Sequence, residues 1–386
     1  MQRLPLEPRR DWQAAVERVG LSFHTLDDGA PYWDESGYYR FTADEIDTLE
    51  AATGELMDRC LEAGQWMVDH NAFASFGITE PWASLIRASW DRDEPQLLGR
   101  FDLCWSGAGG APPKLLEFNA DTPTALLEAA VAQWYWLQDQ FPGDDQFNSL
   151  HERLVRRWGG LKIGGPVHFA CVRDSAEDQM NVTYLRDTAM QAGLATEFLF
   201  VEDIGTRDSR EFVDLRNRRI TTIFKLYPWE WLTREAFGPL LPTAGMRIIE
   251  PIWKMLFSNK ALLAVLWHLF PGHPNLLPTA FEPGKLPSGS PRVRKPLLGR
   301  EGANIAILAA DGSTLAANDG PYGDGTFLYQ QFQPLPDFNG RRPVIGSWVI
   351  GGEAAGIGIR ESDGPITDNR SRFVPHAFSP RDGGTR

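Results

Sequence analysis

The stretch "RFDLCWSGAGGAPPKLLEFNADTPTALLE" (residues 100–128) holds two short alternations of apolar and polar residues around a glycine- and proline-rich turn. Alternation at period two marks a strand, so the stretch predicts a hairpin over 99–121, turning at "SGAGGAPP" (106–113). In the first arm Arg100, Asp102 and Cys104 share one face, and Phe101, Leu103 and Trp105 the other. In the second arm Leu115, Glu117, Asn119 and Asp121 share a face. Simple antiparallel pairing sets Asp102 opposite Glu117 and Arg100 opposite Asn119. Two carboxylates directly across a ladder repel, and a divalent cation between them removes that cost. Asp, Glu and an Asn carbonyl are hard oxygen donors, the set Mg²⁺ takes when it also holds phosphates. Arg100, one step along, suits a phosphate. Without a metal, the same face reads as a solvated polar surface with an Arg–Glu ion pair. Beyond the hairpin, residues 122–139 predict a helix with Thr122 or Asp121 as N-cap and Pro123 in its first turn.

The chain around this hairpin has 386 residues, 42 % of them hydrophobic, and 14 Trp. That is enough for a large packed core, and most of the tryptophans are expected inside it. The net charge is −13. This argues against a nucleic-acid binder, which would carry a basic stripe, and suits a cationic small substrate as well as a plain acidic surface. Cys60, Cys104 and Cys171 are far apart and fall in no metal-binding spacing, so neither a disulfide framework nor a zinc site is expected. The N-terminus lacks an apolar leader core, and no run of about 18 apolar residues occurs, so a cytoplasmic protein without a membrane span is the default. Composition and spacing carry no signal for an oligomeric state.

Residues 43–73 predict one amphipathic helix, with Ile46, Leu49, Leu56 and Leu61 at helical spacing and Thr42 or Asp44 as cap. "PVHFACV" (166–172), "TYLRDTAMQAG" and "ATEFLFVED" give strand, helix and strand, the succession of a small α/β unit with a parallel sheet. Residues 220–229 read as another strand, and 258–270 as a helix capped by Ser258. The last third, from "VRKPLLGREGANIAIL" onward, has the look of an antiparallel sheet with glycine-rich connections. The closing "SPRDGGTR" reads as a frayed polar tail.

"KPLLGREGANI" (295–305) puts Lys295 at a strand end before a loop holding Gly299 and Gly302. Glycines let backbone N–H groups approach phosphate oxygens, and the lysine adds a point charge. The spacing is neither GxxxxGK[ST] nor GxGxxG, and a plain glycine hairpin also fits. Lys260 sits at a helix start, where the dipole opposes a positive charge and a nearby anion would favour it; an ordinary surface lysine is the alternative. "YQQF" (329–332) ends a strand whose backbone edge can serve adenine or can be a plain strand end. Arg360 follows the glycine-rich "GGEAAGIGI".

In this order "RFDLCW…LLEFNADTPTALLEA", "EPIWKMLFSNKALLAVLWHLFPGHPNLLP", "KPLLGREGANI", "YQQF" and "GGEAAGIGIR" resemble the synthetase domain of the glutathionylspermidine synthase family. The resemblance runs from about residue 10 to 376 and is closest to stand-alone bacterial members. It implies an α+β chain: an ATP-grasp fold with a pre-ATP-grasp α/β unit and a helical N-terminal segment. Residues 1–376 would be a single synthetase-like catalytic unit. Its pre-ATP-grasp part would lie at about 150–225 and its ATP-grasp part at about 226–376, with the 99–121 hairpin contributed from the N-terminal half and a polar tail at 377–386.

The resemblance also implies a reaction. ATP phosphorylates the glycine carboxylate of glutathione, and an amine of spermidine displaces phosphate from the acyl phosphate. Carried over by position, Asp102, Glu117 and Asn119 match ligands of Mg²⁺, two ions being expected. Arg100 and Arg360 match the residues that stabilise the transferring phosphoryl group, Arg100 also contacting ATP. Lys260 and Lys295 match the ATP-phosphate lysines. Glu301 lies in the loop over the phosphates, and Gln330, Gln331, Phe332 and Gln333 match the adenine-binding edge. Thr122 and Thr124 stand where relatives carry serines near the glutathione carboxylate. Glu177, Asp178 and Glu230 match acidic substrate contacts. Such chemistry needs positioning and charge neutralisation more than a nucleophilic side chain, and no general base is assigned. Nothing resembles the amidase part of bifunctional relatives, so amide hydrolysis is not expected. Two other functions compete: a ligase of the same fold for a different acid and amine, and an ATP-binding protein without turnover.

Overall fold

The computed structural model describes residues 1–381. Its centre is a five-stranded antiparallel sheet in the order Arg372–Val374, Glu353–Ser362, Arg342–Ile350, Leu98–Cys104 and Lys114–Asn119. The expected hairpin is thus one edge of a larger sheet, joined to segments some 240 residues later in the chain. Phe101 and Phe118 face each other across the hairpin with ring centroids 3.9 Å apart.

One face of the sheet carries the long helix Ala43–Asp69, which turns Ile46, Leu49, Leu56, Met57 and Cys60 inward. Thr42 accepts the amide of Glu45, and Glu45 accepts the amide of Thr42, closing a capping box. Leu61 is exposed, and the helix stops at Asp69 rather than 73, giving way to a 3₁₀ turn at Ala72–Phe76. The opposite face receives a π turn, Glu128–Ala132, and the helix Leu150–Gly160.

The helix predicted from 122 begins only at 126. Residues 122–125 are an extended loop ending at Ala125 with φ +64°, and the side chain of Asn181 accepts the amide of Leu126. A second sheet has four parallel strands in the order Arg247–Ile249, Thr222–Leu226, Val167–Cys171 and Thr196–Phe200. It contains the strand–helix–strand unit read from the sequence. Its helix starts earlier than read, at Ala176, because Ser175 caps it by accepting the amide of Asp178. The sheet also takes in both strands on either side of the 228–246 excursion, so the expected division near 225 falls inside the strand 222–226.

A third sheet, also antiparallel, has the order Thr279–Ala280, Phe327–Gln331, Arg292–Pro296, Ala306–Leu308 and Thr314–Ala317, so the last third, read as one antiparallel sheet, is divided between this sheet and the central one. The 258–270 helix is broken: one turn ends at Ser258 and a second helix runs Ala261–Leu269. Ser258 does not cap the second: Lys260 holds the cap position, and the Asn259 side chain before it accepts the amide of Ala261. The tail begins later than read. His376–Phe378 pairs in parallel with Gly37–Phe41, and Ala377 is fully buried. Residues 382–386 of the predicted tail lie outside the described residues. Among the described residues the three cysteines are free and buried, and no helix is long and apolar enough to cross a membrane.

Candidate active site

The hairpin register pairs Arg100 with Asn119 and Asp102 with Glu117, as the alternation predicts. Beyond Asp102 the register slips by one residue. Leu116 is the extra residue; it lines a cavity while Leu115 is fully buried, so Leu115 does not share the face of Glu117. Asp121 also departs from the predicted face. The strand ends at Asn119, and Asp121 turns into the protein, where it accepts from Lys225 Nζ at 2.7 Å and from the amide of Trp229 at 2.8 Å.

The cavity above the hairpin has a volume of about 250 Å³. Asp102, Glu117, Asn119 and Arg100 form one wall, with Thr122 and Thr124 at its end. Lys260 and Lys295 enter from the side, Glu301 from the glycine loop and Arg360 from the strand 353–362. The run Gln330, Gln331, Phe332 and Gln333 closes the far end, and Asp178 reaches in from the start of its helix. Two predicted residues stand back from the lining. Glu177 is bonded to the side chain of Thr124. Glu230 is buried and ion-paired to Arg300 at 2.7 Å. A single cavity therefore collects residues spread over some 260 positions of sequence.

Its electrostatics are dense. Arg100 Nε donates to Asp102 Oδ1 at 2.9 Å, and Arg360 Nη2 to Asp102 Oδ2 at 3.0 Å. Arg100 Nη1 also donates to the carbonyl of Thr124 at 2.6 Å. Lys260 Nζ lies 3.1 Å from Glu117 Oε2 and donates to the Gly299 carbonyl at 2.6 Å. Lys295 Nζ donates to the Leu116 carbonyl and to Gln330 Oε1, at 2.8 and 2.7 Å.

Burial by itself would raise the Glu117 carboxyl, but Lys260 and Lys295 hold it well below the usual range. Burial pushes Lys295 down to about 8; Glu117 pulls the other way and Lys260 adds to the drop. Burial and the charge of Glu177 raise Asp178 to about 6.

The glycine loop is shaped by its backbone. Glu301 and Gly302 have φ of +52° and +71°. A Cβ on Gly302 would stand 2.4 Å from the Thr367 carbonyl, so only glycine lets the loop close against that segment.

Sequence reading passed over Arg300, although it lies inside the quoted loop. It spans the cavity end, donating to Thr122 Oγ1 and Glu230 Oε1 at 2.7 Å each, with its guanidinium 5.7 Å from the Trp231 ring. Its position between Gly299 and Glu301 was the available signal. The apolar lining, including Val293, Ile307, Leu335 and Val344, carried none.

Asp102 and Glu117 with the Asn119 amide are a donor set that fits Mg²⁺, provided phosphate and water complete its shell. Among the described residues no cluster of three or more His, Cys, Asp or Glu could hold a metal unaided.

The glutathionylspermidine synthase preATP-grasp family model matches residues 3–379. The chain belongs to this family. It is 44 % identical over 388 residues to a Haemophilus influenzae protein provisionally named an acid–amine ligase, covering 96 % of this chain and 98 % of that one. It is 27 % identical to the bifunctional glutathionylspermidine synthetase/amidase of Escherichia coli and to the trypanothione synthetase of Crithidia fasciculata. These matches cover 89 % and 83 % of this chain but only 59 % and 53 % of those two proteins. The named relatives are thus ligases and synthetases. A solved glutathione synthetase-like effector from Globodera pallida, 10 % identical, shares the fold with a TM-score of 0.57 over 95 % of each chain.

Proposed function

We propose that this protein is an ATP- and Mg²⁺-dependent carboxylate–amine ligase of ATP-grasp type, forming an amide through an acyl phosphate. The observation that carries this reading is the facing pair Asp102 and Glu117, ringed by Arg100, Arg360, Lys260 and Lys295 in one cavity. Four cations around two carboxylates suit a triphosphate and a metal, and no apolar ligand would repay burying them.

In this reading Lys295 and Lys260 hold ATP phosphates, and the 330–333 edge takes adenine. The Glu301 loop covers the phosphates. Asp102, Glu117 and Asn119 hold Mg²⁺, two ions of it, which when bound neutralises phosphate charge. Arg100 and Arg360 face the transferring phosphoryl group. The carboxylate of the acid attacks the γ-phosphorus and ADP leaves. The amine then attacks the acyl carbon; the C–N bond forms, the C–O bond breaks, and phosphate departs with the electron pair. Thr122 and Thr124 border the acyl donor. Glu177, Asp178 and Glu230 supply the negative charge that a buried ammonium needs. Glutathione as acid and spermidine as amine are the substrates the family names suggest.

The test is Mg²⁺-dependent ADP release with glutathione alone, spermidine alone and both together. Release that requires both establishes the reaction. Release with a different acid and amine keeps the ligase and replaces its substrates. ATP bound without release, over a broad panel, removes the catalytic reading.

A further inference from the structure

Behind Thr124 lies a carboxylate that the phosphoryl chemistry does not use. Glu128 opens the π turn 128–132 and is fully buried. π turns are uncommon and often mark functional positions. Tyr32 donates its hydroxyl to Glu128 Oε1 at 2.8 Å, whereas Glu128 Oε2 is buried without a partner. A buried carboxylate oxygen left bare is costly, and such groups call for an explanation. After burial itself, the strongest influence on Glu128 is the charge of Glu177, with Arg100 acting in the opposite sense. The first turn of the Glu177 helix packs against the same segment: Asn181 accepts the amide of Leu126 at 3.0 Å and donates to the Glu177 carbonyl at 2.9 Å, and the Glu177 side chain is held by that of Thr124. Tyr32 faces Glu177 and Arg360 as well as Glu128. Asp178 stands beside Glu177 in the cavity wall.

We propose that Glu128 is a positioning residue for the attack of the amine: with Glu177 it forms a carboxylate pair that receives the proton leaving the incoming ammonium. The proposal rests on the ligase reading and assigns a step that reading leaves open. The ammonium R–NH₃⁺ gives one proton to Glu177 and becomes R–NH₂. The free amine attacks the acyl carbon, the C–N bond forms, and the C–O bond to phosphate breaks. The second nitrogen proton leaves with phosphate. The two carboxylates repel where water cannot screen them, so the pair gives up its last proton less readily than a lone carboxylate would. Burial and the Glu177 charge raise Glu128 to about 7, so the pair titrates in the range where a proton acceptor is useful.

Hydroxylamine separates this step from the rest. It is uncharged at neutral pH and attacks an acyl phosphate without losing a proton to a base beforehand. The purified protein is given ATP, Mg²⁺ and glutathione, with either spermidine or hydroxylamine as nucleophile. In Glu128→Gln, where Glu177 remains but is a weaker base, the ratio of spermidine-dependent to hydroxylamine-dependent turnover falls on the order of tenfold, a part of what proton transfer by a placed side chain contributes. The acid limb of spermidine-dependent kcat/KM moves to lower pH. In Tyr32→Phe the limb moves to higher pH, because the donor that favours ionised Glu128 is gone. Equal loss with both nucleophiles, or an unchanged limb in both variants, overturns the proposal. Should Glu128→Gln fail to fold, the direction of the Tyr32→Phe limb decides the matter. A wild-type chain that releases no ADP with either nucleophile, and none with the broad panel of acids, overturns the ligase reading itself, and this step with it; release with another acid moves the same comparison of nucleophiles to that acid.

Discussion

Two lysine–glutamate pairs, whose lysines stand at 254 and 260, behave as opposites. Lys254 and Glu250 are 2.7 Å apart, four residues apart on the chain and wholly buried. Every bond there is used: Glu250 accepts the amides of Leu97 and Leu98, and Lys254 also donates to the Leu98 carbonyl. Lys260 and Glu117 are 3.1 Å apart, but both open onto the cavity, and Glu117 keeps 23 % of its side chain exposed. The first pair ties the parallel sheet to the start of the hairpin strand. The second holds charge in readiness beside a space large enough for a ligand. A closed network spends its charges on backbone geometry; an open one leaves them for something that arrives.

The largest effects should break the open pair. Glu117→Gln is expected to cut ADP release by more than about a thousandfold, since it removes a metal donor and one wall of the phosphate site. Because that side chain borders the cavity, unfolding free energy should change by only about 1 kcal/mol. Steady-state kinetics beside urea titration reads both numbers. Unfolding of the variant before activity could be measured would place Glu117 with the structural pair.

Lys254→Ala should do the reverse. Removing one member of a closed buried pair strands the other, at a cost of about 3–5 kcal/mol. Denaturant midpoints measure the loss. Whatever fraction stays folded should bind ATP with wild-type affinity, because Lys254 does not border the cavity.

Much of this contrast is legible in the sequence, for a definable reason. Period-two alternation with a glycine–proline turn dictates the hairpin and sets Asp102 across from Glu117 before any tertiary contact is known. The bulge at Leu116 leaves no trace, because an extra apolar residue beside Leu115 does not alter the count of polar positions. Asp121 shows where alternation misleads. It continues the pattern in the sequence, but the strand stops two residues earlier, and a lysine 104 positions away claims it. The late start of the next helix is of the same kind: a left-handed Ala125 and a hydrogen bond from the Leu126 amide to the Asn181 side chain override a plausible local cap. Local periodicity decides register; distant polar partners decide where each element ends. The cavity's membership was readable only through family resemblance, since its residues come from segments scattered between Arg100 and Thr367.

Glu128 joins the two regions, being buried like the first pair yet incompletely satisfied like the second. Its carboxyl is raised from 4.5 to about 7. Below about pH 4.5 both folded and unfolded chains are protonated there, and the group costs nothing. Between about 4.5 and 7 the unfolded chain ionises first, so stability falls as pH rises, then levels off. Glu128→Gln lacks that penalty and should be more stable than wild type at pH 8 by on the order of 2–3 kcal/mol, with no gain at pH 4. Thermal unfolding at the two pH values reads the difference. A variant less stable at pH 8 would mean the ionised carboxylate is better solvated than its burial implies.

The smallest effect sharpens the comparison from the side of the cations. Burial depresses Lys295 to about 8. A bound triphosphate would favour the charged ammonium and raise that value, so ATP binding near pH 8 should take up protons. The sign follows directly. Below the depressed value the lysine is already charged and affinity is flat; above it, each proton must be acquired on binding and affinity falls, by at most about tenfold per pH unit. Calorimetry in buffers of differing ionisation enthalpy would read the uptake. Lys295→Arg, whose guanidinium stays charged, should bind ATP without that slope. If wild type and variant kept the same slope, the titrating group would lie elsewhere in the cavity, with Asp178 the next to replace.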